Sequence, residues 1–320
     1  MRIERVPAPL KQTFPPLGVF TMVPPPSGLR ESMVINNGTA PRTLRSLPTW
    51  ATLRDFTART GTNLLRFLVT AFRAPRVAIL PWERRDVIII AATVVAIVLF
   101  MVVVDVAAIE WAKGLPSWFH GWADEITDFG RSGWFLYPLG FGLIAVAAAA
   151  NLTLPRQAYG LLAFIAARAG FLFVAIGLPS LFATIIKRMI GRARPYVGGA
   201  DDPFVYYPFI WRPEYASMPS GHATTAAAAA IAVGAIWPRL RPVMWVYAVI
   251  IMLTRVIIGV HHPSDVLAGA LVGVVGAFLV QRWYAQRRLV FYADLRPMPG
   301  PSRRRLAKLM RDVRAAVQAN

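Results

Sequence analysis

The chain of 320 residues contains no cysteine. That excludes a disulfide framework, a thiolate nucleophile, an iron–sulfur cluster and any zinc site built on sulfur. Charge is also scarce, at 16% of residues, where an average soluble chain carries roughly 25%. Acid is the scarcer sign, with 16 Asp and Glu against 35 Lys and Arg and a formal net charge of +19. Because 56% of the residues are hydrophobic, the chain is too apolar for an ordinary soluble domain and too long for one buried core. It reads as a polytopic membrane protein. The basic excess lies in the two termini, not on a folded basic face with interleaved aromatics. This argues against nucleic acid as a partner and for an anionic leaflet. Any chemistry falls to His, Asp, Arg, Lys or Ser.

Residues 1–80 are basic, broken by prolines, and lack an apolar stretch suited to a signal-peptide core. The first third of this tail is expected to be disordered. Arg59, Arg66 and Arg73 recur every seven residues, while Leu65, Leu68 and Phe72 lie on another face at helical spacing. Two readings stand: an interfacial amphipathic helix, or a solvated basic linker. Residues 81–285 hold six apolar runs with at most one charged residue each, long enough for a hydrocarbon core of roughly 30 Å, near 87–109, 134–154, 160–186, 220–237, 242–260 and 264–281. The expectation is an all-α, six-span helix bundle, followed by a second basic tail over 286–320. The fourth and sixth runs are rich in small residues (Ala226 to Ala230; Gly269, Gly273, Gly276), which suits the bundle interior.

Loop charges set the orientation. Basic residues crowd the region through Arg85 and the tail after Gln281, so both termini are expected in the cytoplasm. The first loop carries Asp105, Glu110, Asp124, Glu125 and Asp128 against Lys113 and Arg131, and fits the outside. The stretch from Lys187 to Pro219 must be outside by alternation, yet it holds Lys187, Arg188, Arg192, Arg194 and Arg212. Basic residues retained there need another reason.

Three clusters fall at the outer ends of the expected spans. The first is KRMIGRARP, Lys187 to Pro195. Its two outer cations, Lys187 and Arg194, would share one face if the helix continued, and Pro195 favours a helix end at Arg194. Interfacial snorkelling is the plainer reading. The second is Pro219-Ser220-Gly221-His222. Ser220 suits an N-cap, Gly221 admits a ligand close to the backbone, and free N–H groups with the helix dipole favour an anion. A capped helix with a surface histidine is the alternative. The third runs from Thr254 to Asp265. Arg255 sits inside an apolar run, where an unpaired cation costs at least roughly 2.5–3.5 kcal/mol, so it requires a partner. His261 and Asp265 are four apart, with Pro263 suited to a first helical turn, so the carboxylate could orient the imidazole.

Taken together, Lys187-x6-Arg194-Pro195, Pro219-Ser220-Gly221-His222 and Arg255-x5-His261-x3-Asp265 resemble the three-part signature of the type 2 phosphatidic acid phosphatase superfamily, the membrane lipid phosphate phosphatases. The resemblance covers roughly residues 85–285. It departs at Met218, where an aromatic is common, and at Thr254, where Ser is common. The resemblance implies that His261 attacks phosphorus and forms a phosphohistidine stabilised by Asp265, and that His222 protonates the leaving oxygen. It also implies that Lys187, Arg194, Ser220, Gly221 and Arg255 hold the phosphoryl oxygens. The residues themselves agree in kind: cations, a helix N-terminus and two histidines on one membrane face make an anion site with a nucleophile and an acid. No metal or other cofactor is expected.

The expected activity is metal-independent removal of a terminal phosphate from a lipid phosphate or diphosphate at the extracytoplasmic face of a bacterial inner membrane. Undecaprenyl diphosphate is the first substrate expected and the lipid A 1-phosphate the second. Phosphatidylglycerophosphate and phosphatidic acid are also compatible. A vanadate-dependent haloperoxidase has a similar oxyanion pocket, but six apolar runs argue against it. A non-catalytic lipid-phosphate binder or transporter, and a phosphotransferase, stay open. His120 among Trp111, Trp118 and Trp122 reads as part of an interfacial aromatic belt. His262 is expected at the rim, and Arg168 at the cytoplasmic end of its helix.

Overall fold

The computed structural model describes residues 50–78, 82–151, 156–197, 202–302, 304, 306–308 and 310–312. The expectations for residues 1–49 lie outside these. The described residues form helices and no sheet: α1 (Trp50–Ala71), α2 (Arg84–Val103), α3 (Asp105–Lys113), α4 (Ser117–Thr127), α5 (Gly133–Ala149), α6 (Arg156–Ile190), α7 (Gly221–Ile236), α8 (Arg241–Ile257) and α9 (Pro263–Gln286). Pro242 and Pro263 stand in the first turns of α8 and α9, where a missing N–H costs nothing.

Among the described residues five stretches are long and apolar enough to cross a membrane: α2, the run from Ser117 to Ala149, α6, Pro238–Ile257 and α9. The fourth expected span, α7, is the exception: it has 16 residues and is about 24 Å long, short of a full hydrocarbon core. Its place in the bundle explains the shortness. Ala226 to Ala230 are fully buried, enclosed by α6, α8 and α9. Helix α2 is the reverse case, apolar all round with Ile88, Val95, Leu99 and Val102 all exposed, as lipid requires.

Glycine lets α9 lie directly on α7. An added Cβ at Gly269 would collide with the Ser220 carbonyl, and one at Gly273 with the Thr224 carbonyl. Close backbone approach of this kind is the packing mode of membrane helices. It also fixes the start of α7 against the start of α9, where the site lies. At the opposite end, Val290 and Phe291 fold back into the core formed by Phe171, Ile176 and Tyr284. Arg168 lies at that end, yet its guanidinium tethers this returning segment by donating to the Met298 carbonyl (2.5 Å).

A helix covers the first part of the Arg59–Arg76 stretch, but it begins nine residues earlier at Trp50 and ends at Ala71, leaving Arg73 and Arg76 beyond it. Leu65, Leu68 and Phe72 are exposed, whereas Asn63, Phe67 and Thr70 face the protein. Asn63 donates to Asn151 Oδ1 (3.0 Å) and the Ala147 carbonyl (3.2 Å).

Two expected boundaries move. The run near 87–109 breaks at Val104, because Asp105 turns inward and is fully buried. Helix α6 ends at Ile190, before Pro195, because Gly191 adopts φ +66° and its N–H closes on the Lys187 carbonyl (3.1 Å). A side chain at Gly191 would collide with the Tyr207 backbone. Lys187 and Arg194 therefore do not share a helical face; a glycine helix terminus separates them.

Candidate active site

All three sequence clusters meet at one end of the bundle. Ser220 N–H donates to the Asp265 carbonyl (3.0 Å), joining the second cluster to the third. A Cβ at Gly221 would lie 3.7 Å from Lys187 Nζ, so the ammonium of the first cluster rests against the start of α7. Ser220 occupies the N-cap position, as its sequence suits, but its side chain makes no capping bond. Its Oγ is buried and has no hydrogen-bond partner among the described residues. That hydroxyl and the first-turn N–H groups of α7, which have no acceptor within the helix, form a seat for an anion.

Lys187, Arg194 and Arg255 lie close enough for their charges to act on one another, and those of Lys187 and Arg255 act on His222 at the start of α7. Among the described residues none has a carboxylate ion-pair partner. Arg255 donates to Thr127 Oγ1 (2.9 Å), and its Nε, like that of Arg194, is buried without a partner. The partner that Arg255 requires in an apolar helix is thus one hydroxyl, with Asp124 and Asp128 acting only through their fields. Three cations gathered with no carboxylate in ion-pair contact among the described residues repel one another. A bound phosphate would relieve that repulsion.

His261 stands between this seat and Asp265. Its Nδ1 lies 3.7 Å from Asp265 Oδ2, within ion-pair range and beyond a hydrogen bond. Ser217, absent from the sequence reading, fills the gap. Its hydroxyl donates to Asp265 Oδ2 (2.5 Å) and lies 3.4 Å from His261 Nδ1. With its proton on Asp265, Ser217 can only accept from the imidazole. That network assigns the Nδ1–H tautomer and leaves the Nε2 lone pair free. Burial, together with the charges of Arg255 and Arg194, pushes His261 down to about 4 against the opposing pull of Asp265. The imidazole is neutral at pH 7, the state a nucleophile needs.

His222 opens α7 with its ring against Gly130, where an added Cβ would come within 2.9 Å of the imidazole. The turn carrying Gly130 is pinned by Tyr247, whose hydroxyl donates to the Phe129 carbonyl (2.9 Å). His262 is fully buried, not at a rim. It is the N-cap of α9, and its N–H donates to Asp265 Oδ2 (2.9 Å). His120 bonds through a ring nitrogen to the Ala112 carbonyl (2.9 Å).

Behind His261 lies a group the sequence did not single out. Arg192 is completely enclosed and donates from Nη1 to Asp265 Oδ1 (2.5 Å) and Ser264 Oγ (2.7 Å). From Nη2 it donates to Asp105 Oδ2 (2.8 Å), and from Nε to the Pro203 carbonyl (2.9 Å). Asp105 also accepts from the Ser264 N–H (2.9 Å) and hydroxyl. Burial works against the Arg192 charge, but Asp265 and Asp105 outweigh it and raise the guanidinium above its ordinary value. The legible signals were an arginine on the wrong side of the charge rule and an aspartate in an apolar run.

Residues 168–289 match the model of the PAP2 superfamily. The lipid A 1-phosphatase of Rhizobium johnstonii is 31% identical over 214 residues, 67% of this chain and 86% of that protein. The decaprenylphosphoryl-5-phosphoribose phosphatase of Mycobacterium tuberculosis is 38% identical over 98 residues, 30% of this chain and 51% of that one. The undecaprenyl-diphosphatase of Sulfolobus acidocaldarius is 32% identical over 112 residues, 32% of this chain and 53% of that one. A transmembrane PAP2-type phosphatidylglycerolphosphate phosphatase from Bacillus subtilis, solved by crystallography, overlays 60% of this chain and 94% of its own at a TM-score of 0.41 and 21% identity, a likeness too loose to add to the assignment. The matched region contains all three clusters, and the likeness to the Rhizobium enzyme extends over most of that enzyme's length: the chain belongs to the PAP2 superfamily.

Proposed function

We propose that this PAP2 phosphatase removes a terminal phosphate from a membrane lipid without a metal, through a phosphohistidine on His261, at the extracytoplasmic face. The observation that carries the reading is the open cation cluster. Lys187, Arg194 and Arg255 lack carboxylate partners among the described residues and act on one another's charge near the start of α7, where the Ser220 hydroxyl is unpartnered among those residues. A neutral, oriented imidazole lies within reach of the Arg194 and Arg255 charges. In the first step His261 Nε2 donates its lone pair to phosphorus as the bond to the lipid oxygen breaks. His222, protonated once the bound phosphate offsets the surrounding cations, supplies that oxygen with a proton. Water then attacks the phosphohistidine, His222 accepts its proton, and inorganic phosphate leaves with His261 regenerated. Lys187, Arg194, Arg255, Ser220 and the Gly221 amide stabilise the charge on the phosphoryl oxygens.

The relatives matched over two thirds of this chain are lipid A 1-phosphatases, so the lipid A 1-phosphate is the first substrate we propose. Shorter matches to polyprenyl-type phosphatases favour undecaprenyl diphosphate as the second reading. The opposed basic and site-bearing ends of the bundle support the proposed topology, with six spans and both termini cytoplasmic. The test is phosphate release by purified protein in detergent with EDTA, on lipid A, undecaprenyl diphosphate, phosphatidylglycerophosphate and phosphatidic acid, with His261→Ala in parallel. EDTA-resistant release from one lipid, lost in the variant, supports the reading. No release from any of them by folded protein counts against it.

A further inference from the structure

The carboxylate that faces His261 is itself engaged by a buried arginine, and this raises a problem of charge. Asp265 and Arg192, taken alone, sum to zero, so a neutral ion pair would stand behind the imidazole. Asp105 changes the sum. It joins Arg192 from the other side, all three side chains being fully enclosed, and the cluster of two carboxylates and one guanidinium carries a net charge of −1. Ser264 links both ends, accepting from Arg192 and donating to Asp105. The donors fix the geometry in turn. Arg192 directs Oδ1 of Asp265 away from the site, leaving Oδ2 for Ser217, the His262 amide and the His261 edge.

We propose that Asp105 and Arg192 are positioning residues for His261. Arg192 orients Asp265, and Asp105 restores the negative charge that Arg192 would otherwise cancel, so that the cluster supports the cationic imidazole formed on phosphorylation. The proposal rests on His261 being the nucleophile. It assigns work to a residue from α3, more than 150 positions from Asp265, that lies outside the three clusters.

Charge arithmetic supplies the test. Asp105→Asn keeps an acceptor oxygen for the Ser264 N–H but brings the cluster to zero. Arg192→Gln brings it to −2, and the double variant returns it to −1. In the lipid phosphatase assay Asp105→Asn is expected to lower kcat by about tenfold or more with KM unchanged, and the double variant to recover much of that loss. A purely structural role predicts the opposite order, since the second lesion can only add damage. In parallel, NMR titration of histidine-labelled protein should place the His261 midpoint lowest in Asp105→Asn and near wild type in the double variant. This readout needs no turnover, so an inactive protein whose midpoints still follow the charge ladder would sink the phosphatase reading and leave the positioning intact. Wild-type kcat and an unmoved His261 midpoint in folded Asp105→Asn, or a double variant no better than the single one, overturns the proposal.

Discussion

At the site end of the bundle, one group of charges is closed and its neighbour is open. Asp105, Arg192, Asp265, Ser217 and Ser264 are enclosed and joined by hydrogen bonds of ion-pair strength. Arg194 follows Arg192 by two residues, yet it joins Lys187 and Arg255 in a group that has no carboxylate ion-pair partner among the described residues and in which the Arg194 and Arg255 Nε are buried and unbonded. The same residue type thus serves two ends. A buried arginine saturated by fixed acceptors holds a geometry and has nothing left for a ligand. A cluster of cations held together against repulsion leaves its strongest bonds unmade until an anion arrives. His261 sits on the border between the two groups, and its chemistry depends on both.

The largest expected effect comes from removing the border residue. His261→Ala should lose about 10⁴-fold or more in phosphate release while staying monodisperse in detergent; a near-normal rate would remove His261 as nucleophile. Next come two arginine deletions that should fail in different ways. Arg192→Leu strands two buried carboxylates, a lesion of about 3–5 kcal/mol, and should melt far below wild type in a detergent thermal scan. Arg255→Leu should melt near wild type yet lose about 10- to 100-fold in kcat/KM, since a hydrogen bond to a charged group is worth about 1.5–3 kcal/mol. If Arg255→Leu instead unfolds with unchanged kinetics in the surviving fraction, the open group is structural and the contrast fails. A smaller effect is expected for Ser217→Ala. Losing the bridge between His261 and Asp265 should lower kcat by about tenfold with KM unmoved, and an equal rise in KM would show that Ser217 binds substrate directly.

The two groups were not equally legible in the sequence. The open one was visible because its residues recur at fixed spacings in three motifs, and the family resemblance rests on those spacings. The burial of Ala226 to Ala230 and the close approach at Gly269 and Gly273 followed from side-chain size alone. Asp105, Arg192 and Ser217 were hidden because their meaning is a matter of partners far apart in the chain. An aspartate before an apolar–acidic segment reads as a loop residue until tertiary packing brings it to Ser264. The end of α6 was misplaced for a related reason: Pro195 is a local stop signal, while Gly191 stops the helix earlier through a positive φ and contact with the distant Tyr207 backbone.

The smallest expected change concerns pH, and it weighs the two groups against each other. His261 faces Asp265 and Ser217 from the closed side, with Arg192 behind them, and Arg255, Arg194 and His222 from the open side. Burial and the open cations prevail, so the folded imidazole titrates near 4, below its ordinary value of about 6.5. Between those values the unfolded chain binds a proton that the folded one does not, so this residue's contribution to stability falls as pH drops through that window. The neutral fraction, and with it the rate of phosphoenzyme formation corrected for the substrate's own ionisation, should stay nearly flat from pH 7.5 to 5. An ordinary histidine would lose about tenfold by pH 5.5. Removing an open cation should move the midpoint up toward the ordinary value, so Arg255→Leu should begin to lose its residual rate at a higher pH than wild type. A wild-type midpoint near 6.5, or one indifferent to Arg255, would mean that the open group does not act on the imidazole and that the border drawn through His261 is misplaced.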